Sequence, residues 1–289
     1  MYSITNDICF GRFLGNYCPP RSTKESRLKE LEMILQLDKK IEPNTLWVLN
    51  RIYDPDYLDT IKSILTDNNQ QYYEIPFVYN EFDNINNTQD KVRYVFNLNN
   101  ARNTLVSKGL EQYKYTICAD GDLYMEPERY AEMCDNITCQ VDKPYYMLWH
   151  HRTTHDQSNN SVKKMSVAPV TDTCHSVEPV PVFTKRSKQF FDERLYYNDN
   201  CKNELCFRIG MKHMNYLAAA SNMHKSFDMS RMSESSKLSG ENWTAVGVIY
   251  HLALSGHEQQ ETHVSERSGA RRTAIQTALS RVEQHRPRA

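Results

Sequence analysis

Two carboxylates separated by one glycine, Asp120-Gly121-Asp122, sit in the run YKYTICADGDLYM from Tyr113 to Met125. Tyr115 to Ala119 reads as a short apolar strand, and Pro127 as the opening of a helix-like segment. Residues i and i+2 of an extended segment share a face, and glycine lets backbone come close to a ligand. Mg²⁺ is usually held by one or two carboxylates plus substrate phosphates, and Mn²⁺ suits similar oxygen ligands. The chemistry expected of this spacing is therefore a Mn²⁺ or Mg²⁺ ion held by Asp120 and Asp122 against a nucleotide diphosphate. The same spacing also arises in plain surface turns, so the elements around it decide its weight.

Those elements alternate. Ser3 to Phe13 reads as a first strand, and Pro19-Pro20 as a breaker. Ser22 or Thr23 caps a helix striped by Leu28, Leu31, Ile34, Leu35 and Leu37. Leu46 to Ile52 is a second, mostly apolar strand, as expected where both faces are covered. A helix follows Asp54-Pro55, Tyr72 to Val78 is a third strand, and Asn80 to Asp90 is an Asn-rich loop. Val92 to Leu110 is mainly helical and leads into the strand before Asp120. Strand and helix in alternation predict an α/β fold around a mostly parallel sheet. Ligands of such sheets bind at the carboxyl ends of the strands. That places the loops Gly11 to Arg21, Asn50 to Asp54 and Asp120 to Asp122 together.

The second half is less regular. Tyr145 to Trp149 reads as a strand, and His150 to Glu178 as a long polar segment. The histidines and arginine of His150 to Asp156 suit a mobile loop over an acceptor. A short strand over Val180 to Phe183, a helix from about Asn203 to His213 and a strand over Asn215 to Ala220 follow. From His257 onward the chain has no Lys, Asn or aromatic residue, and it reads as a weakly attached or disordered appendage. Its candidate for an amphipathic helix is the stretch around Ala274 to Glu283.

Composition narrows the classes. The 289 residues carry a formal net charge of -1 and are 39% hydrophobic, which fits one large globular domain or one domain with an appendage. Near-neutral charge gives no footprint for nucleic acid. No run approaches the ~18 apolar residues of a membrane span. The N-terminal MYSITNDICF lacks the basic and apolar regions of a signal peptide. The eight cysteines form no C-x-x-C and read as reduced thiols, so a cytoplasmic location is expected. Neither G-x-G-x-x-G nor a P-loop occurs. Arg12, Arg51 and Arg102 lie at or near the site loops, where planar guanidinium suits phosphate. His224 follows a strand end and is a candidate metal or diphosphate ligand, with Lys225 beside it for phosphate.

In their order, these residues resemble metal-dependent glycosyltransferases of the GT-A fold, with family 2 nearest. The resemblance runs through Ala101-Arg102-Asn103, the helix ending in Gly109, and the strand into Asp-x-Asp. It continues in Phe191-Asp192-Glu193, like the F-D-E turn, and in Glu204-Leu205-Cys206-Phe207-Arg208, like the E-L-C-x-R helix. Met223-His224-Lys225-Ser226 is similar to the family's histidine after the last core strand. The opening, with Arg12-Phe13-Leu14-Gly15-Asn16, Pro19-Pro20-Arg21 and Trp47-Val48-Leu49-Asn50-Arg51-Ile52, also resembles polysaccharide glycosyltransferases of bacteria and large DNA viruses.

The resemblance implies a Rossmann-like GT-A domain over residues 1–230. Its nucleotide-sugar half is about 1–125 and its acceptor half about 126–230, with a C-terminal extension over 231–289. It implies a nucleotide-diphosphate sugar as donor and a glycan or polysaccharide hydroxyl as acceptor. Asp122 would bind metal, and Asp120 the ribose or metal shell. Asn50, Arg51, Arg102, Asn103, Arg12 and Lys225 would meet the donor. The family carries Glu-Asp just ahead of the E-L-C-x-R helix, where this chain has Cys201 and Lys202. The base of an inverting reaction is therefore expected at Asp199, with Glu204 second. A sugar-phosphate nucleotidyltransferase and a non-catalytic sugar-binding relative are the alternatives.

Overall fold

The computed structural model describes residues 4–19, 22–139, 142–156, 161–164, 179–196, 201–211, 242–253 and 264–286. Nine strands form one sheet: β1 (Ile8–Leu14), β2 (Asn44–Asn50), β3 (Gln71–Ile75), β4 (Tyr115–Asp120), β5 (Leu123–Tyr124), β6 (Tyr145–Asp156), β7 (Ser161–Lys164), β8 (Pro179–Thr184) and β9 (Trp243–Ala253). The order is β3-β2-β1-β4-β8-β6-β9-β5, with β7 pairing β6. β1 to β4, β6 and β9 run one way, while β5, β7 and β8 run against them. The fold is α/β with a mostly parallel mixed sheet, as the alternation predicts.

Helices cover both faces. α1 (Lys24–Asp38) and α2 (Pro55–Asp67) bury Leu31, Ile34, Leu35, Tyr57, Ile61 and Leu65 against Leu14, Trp47 and Leu49. α5 (Leu98–Gln112) sets Ala101, Leu105 and Val106 on the opposite face, over Cys9, Phe13, Val48 and Cys118. α6 (Pro127–Cys139) covers Ile8, Phe10, Ile117 and Val182. Alternate residues of β1 thus enter different cores, as a strand's period of two requires. Among the described residues, no helix is long and apolar enough to cross a membrane.

Several boundaries differ from the sequence reading. The stretch from Val92 to Leu110 is two helices, α4 (Thr88–Phe96) and α5, broken at Asn97, which has φ of 44°. Asparagine tolerates this left-handed conformation better than most residues, and its side chain then reaches Asn50 Oδ1 at 2.9 Å. The Asn-rich loop contains a short helix, α3 (Tyr79–Asp83). Of the two candidate caps of α1 it is Thr23 that serves, in a reciprocal pair with Ser26. β6 runs through His150 to Asp156, so the first part of the polar segment is strand. Its polar side chains are compatible with a strand because β9 and β7 satisfy its backbone.

The sheet extends beyond residue 230. β9 lies between β6 and β5, and buries Val246, Ile249 and Leu252. After α7 (Cys201–Arg208), a last helix, α8 (Val264–Gln284), buries Ala274, Ala278 and Val282 beside Tyr53, Phe82, Tyr94 and Val95. This corrects the reading of the tail as weakly attached. Spacing of four residues sets these side chains on one helix face, and small side chains allow close approach to the aromatic cluster.

Candidate active site

The chain leaves β1 toward β2 and β3 on one side and returns as β4 on the other. The carboxyl ends of β1 and β4 therefore flank the point where strand order reverses, the usual ligand crevice of an open α/β sheet. Asp120 ends β4 there, paired with Phe13 of β1. Gly121 packs so closely that a Cβ atom would lie 2.8 Å from the Phe13 carbonyl oxygen and from Leu14 Cδ2. Only glycine fits without displacing β1. The turn holds the two carboxylates apart, each with different company.

Asp120 meets two cations. Lys202 Nζ donates to Oδ2 at 2.6 Å, and Arg102 Nη2 donates to Oδ1 at 3.1 Å. Arg102 also donates to Asn99 Oδ1 at 3.2 Å and lies over the rings of Phe13 and Phe191. Asp122 Oδ2 is 3.1 Å from His251 Nε2 of β9, and the Asp122 carbonyl accepts from Leu252 N at 2.9 Å. The His150 ring of β6 stands 5.3 Å from that of His251. Burial by itself would raise both carboxyls. For Asp120 the charges of Lys202 and Arg102 outweigh burial and hold it below the usual carboxylate range. For Asp122 the electrostatic interaction and hydrogen bond with His251 do the same.

The asparagines of α5 fix the other wall. Asn103 donates to the Phe191 carbonyl at 2.9 Å and to Glu193 Oε1 at 2.8 Å, and accepts from Phe191 N at 3.0 Å. Asn99 donates to the Asp192 carbonyl at 2.6 Å. Asn103 thus stands beside Arg102 and Asp120, but its amide pins the Phe191-Asp192-Glu193 turn. Asn50 sits at the end of β2 and is likewise occupied, donating to the Phe96 carbonyl at 2.7 Å.

Arg51 follows with φ of 45°. It lays its guanidinium 3.7 Å from the Tyr94 ring centroid and donates to the Tyr94 carbonyl at 3.1 Å. Its Nε is buried without a partner among the described residues. A pocket of about 560 Å³ opens beside it, lined by Arg51, Tyr94, Asn97, Asn99, Asn100 and Glu193 among others. Asn99 joins this pocket to the Arg102–Asp120 pair.

Two expected site residues are placed elsewhere. Arg12 is fully buried. It donates to Asp38 Oδ2 at 2.7 Å and Oδ1 at 2.8 Å, and to the Leu123 carbonyl at 3.0 Å. Its fork is closed by α1, so no donor reaches it. Glu204 is 1% exposed, and Arg208 binds both of its carboxylate oxygens. Arg208 also donates to Gln189 Oε1 at 2.6 Å. Through Arg208, Glu204 is tied to the segment before the Phe191 turn. Asp199, His224 and Lys225 lie outside the described residues.

Sequence reasoning missed Lys202 and His251. Lys202 was visible only as a departure from the family pattern. His251 sits in an apolar strand, GVIYHLA, that carries no chemical signature.

The residues present suit a divalent ion in one respect. Asp122 Oδ1 is buried and has no hydrogen-bond partner among the described residues, which is costly for an acceptor unless a ligand or ion satisfies it. Among the described residues no cluster of three or more ligating side chains forms. An ion here would take most of its ligands from phosphate and water, as Mg²⁺ commonly does.

No family model matches this chain, and none of the curated proteins does. Among solved structures, the mannosyltransferase Ktr4p from S. cerevisiae is similar at 12% identity and a TM-score of 0.26, over 54% of this chain and 41% of that one. The same enzyme in complex with GDP is similar at 13% identity and a TM-score of 0.24, over 54% and 42%. The likeness spans about two fifths of those structures.

Proposed function

We propose that this chain is a glycosyltransferase that holds a nucleotide-diphosphate sugar at Asp120-Gly121-Asp122 and passes the sugar to a glycan hydroxyl. The observation that carries the reading is the turn itself. Two carboxylates flank a glycine at which a Cβ would lie 2.8 Å from the Phe13 carbonyl, at the reversal point of the sheet. One is compensated by Arg102 and Lys202, and the other keeps a buried oxygen without a partner among the described residues.

The residues divide the work as follows. A bound Mn²⁺ or Mg²⁺ would be held through Asp122 Oδ1, with His251 fixing the other oxygen, and would neutralise charge on the departing diphosphate. Asp120, steadied by Arg102, accepts hydrogen bonds from the ribose. Arg51 and the asparagine-lined pocket receive the nucleoside. The asparagines of α5 hold the Phe191-Asp192-Glu193 turn as a preformed wall, which lowers the ordering cost of binding. The pairing of Glu204 with Arg208 favours Asp199 over Glu204 as the group that takes the acceptor's proton in an inverting displacement. The acceptor is assigned to a polysaccharide on the resemblance alone, and the reaction to the cytoplasm on the reading of the cysteines as reduced thiols.

A second reading, a non-catalytic sugar-binding relative, is favoured by one observation: the position that carries a carboxylate in the resembling enzymes carries Lys202. A panel of nucleotide sugars with Mn²⁺ separates the two. The proposal expects one donor both to raise the melting temperature, as ligand binding to the folded state must, and to be hydrolysed slowly or transferred. Asp122→Asn should abolish turnover with the fold intact. Stabilisation without turnover for any donor supports the second reading, and no stabilisation by any donor refutes both.

A further inference from the structure

β3 is one end of the sheet, and among the described residues no strand pairs with its outer edge. The other end of the strand order is different, since β5 is two residues long and both are buried. An open edge is a template for a further strand, and proteins blunt such edges with lysine, proline or a bulge. β3, Gln71-Tyr72-Tyr73-Glu74-Ile75, has neither lysine nor proline, and it follows β2 over its five residues without a shift in register. It carries two large exposed side chains instead: Tyr72 is 38% and Tyr73 42% exposed.

One hydrogen bond fixes which backbone groups of β3 point outward. The Ile75 carbonyl accepts from Arg51 N at 2.8 Å, so Ile75 directs its backbone groups toward β2. Alternation along the strand turns Tyr73 and Gln71 the same way, and turns the N–H and C=O groups of Tyr72 and Glu74 outward. The side chains alternate between the two faces of the sheet. Glu74 binds Lys62 of α2 at 2.7 Å, which puts Tyr72 and Glu74 on the α2 face. Lys108 of α5 stands 5.6 Å from the Tyr73 ring centroid, on the opposite face.

We infer that β3 is a self-association edge, on which a second copy of this chain pairs antiparallel about a two-fold axis at Tyr73. In that register Tyr72 lies opposite the partner's Glu74, and Glu74 opposite the partner's Tyr72. Both are hydrogen-bonded pairs, so every outward N–H and C=O group of the two residues finds a partner. Tyr73 meets the partner's Tyr73 in the closer, non-hydrogen-bonded position, where aromatic cross-strand pairs are favourable. Glu74 faces a tyrosine, so no like charges lie directly opposite. An unrelated extended peptide would satisfy the backbone alone, whereas the chain's own strand matches backbone and side chains together, in a closed and isologous contact. Antiparallel pairing turns the carboxyl ends of the two sheets in opposite directions, so the two crevices open at opposite ends of the joined sheet. None of this depends on the reaction proposed above.

A five-residue edge is a small interface, so the dimer is expected to be weak, with dissociation on the micromolar scale of about 1–100 μM. Sedimentation equilibrium of the full chain across that range tests it. The wild-type mass should rise with concentration from 33.9 kDa toward twice that value. Tyr73→Lys and Tyr73→Glu, each of which sets like charges opposite one another on the axis, should each weaken association by about tenfold or more, and an equal mixture of the two should associate again. Tyr72→Pro removes an outward N–H and leaves the bonds to β2 in place, and should weaken association likewise. A wild-type chain that stays monomeric throughout overturns the inference. A dimer that all three variants keep overturns it as well, because another surface then makes the contact, and failure of the mixture to associate overturns the axis at Tyr73. Should the variants not fold, hydrogen exchange of the wild type decides. Tyr72 and Glu74 amides that exchange more slowly as concentration rises support the second copy, and protection independent of concentration overturns it, since another part of the same chain then covers the edge.

Discussion

The Arg12–Asp38 pair offers the sharpest separation of a structural residue from a ligand-binding one. Arg12 has no exposed surface, and the Asp38 side chain is 6% exposed. Removing the carboxylate by Asp38→Ala leaves a guanidinium with one remaining hydrogen bond, to the Leu123 carbonyl, and the faces of Phe10 and Trp47. Breaking a buried ion pair by deleting one partner costs about 3–5 kcal/mol, of which the ring faces are already part of the folded state and return nothing. Burial already pushes the Asp38 carboxyl upward despite Arg12, so the pair itself is weak support for the fold and its breakage is the expensive event. With a urea slope of about 3 kcal/mol per M for a chain of this size, the midpoint should fall by about 1 M or more. Arg12→Met with Asp38→Leu, which removes both charges, should recover to within about 1 kcal/mol of wild type. Stabilisation by UDP or GDP, compared as the rise in melting temperature, should be the same in every folded variant. A cost below about 1 kcal/mol for Asp38→Ala would sink the reasoning. So would an Arg12 variant that keeps its stability and loses nucleotide binding, since Arg12 would then be a donor contact.

Other expectations follow from the same geometry. Gly121→Ala puts a methyl 2.8 Å from the Phe13 carbonyl and should cost about 1–3 kcal/mol while weakening nucleotide binding; wild-type binding by this variant would dissolve the role given to the turn. Deleting residues 264–289 strips Ala274, Ala278 and Val282 from the cluster around Tyr53, Phe82 and Tyr94, and should cost about 3 kcal/mol or leave the chain insoluble. An unchanged denaturation midpoint after that deletion would show that α8 is dispensable. Asp120 has a lowered pKa, so its pairing stabilises the folded chain above the ordinary carboxylate range near 3.9 and is lost as pH falls through the lower folded value. The stability gap between wild type and Asp120→Asn should therefore be full at pH 6 and close progressively below pH 4, and a gap that persists unchanged to pH 2 contradicts the assignment.

The local signals of this chain are strong where one short segment contains the whole cause. Alternating apolar runs and capped helices make the first four strands and their cover legible from residues alone, because periodicity and caps act within a dozen residues. Asp120-Gly121-Asp122 is legible for the same reason: the turn and both carboxylates are contiguous. Arg102 was placed with them correctly, since α5 leads directly into β4. What the sequence left open depends on partners far along the chain. Arg12 and Arg51 look alike as arginines at strand ends, yet Asp38 of α1 closes one and Tyr94 stacks the other beside a pocket. Lys202 meets Asp120 across 82 residues and His251 meets Asp122 across 129, distances over which no local pattern carries information. β9 and the packing of α8 were unreadable because their apolar faces have meaning only against β6 and the aromatic cluster that they cover. The sequence thus determined which carboxylates share the turn after β4, while packing alone decided which cations face them, because pairing of charges is settled by which surfaces the core brings together.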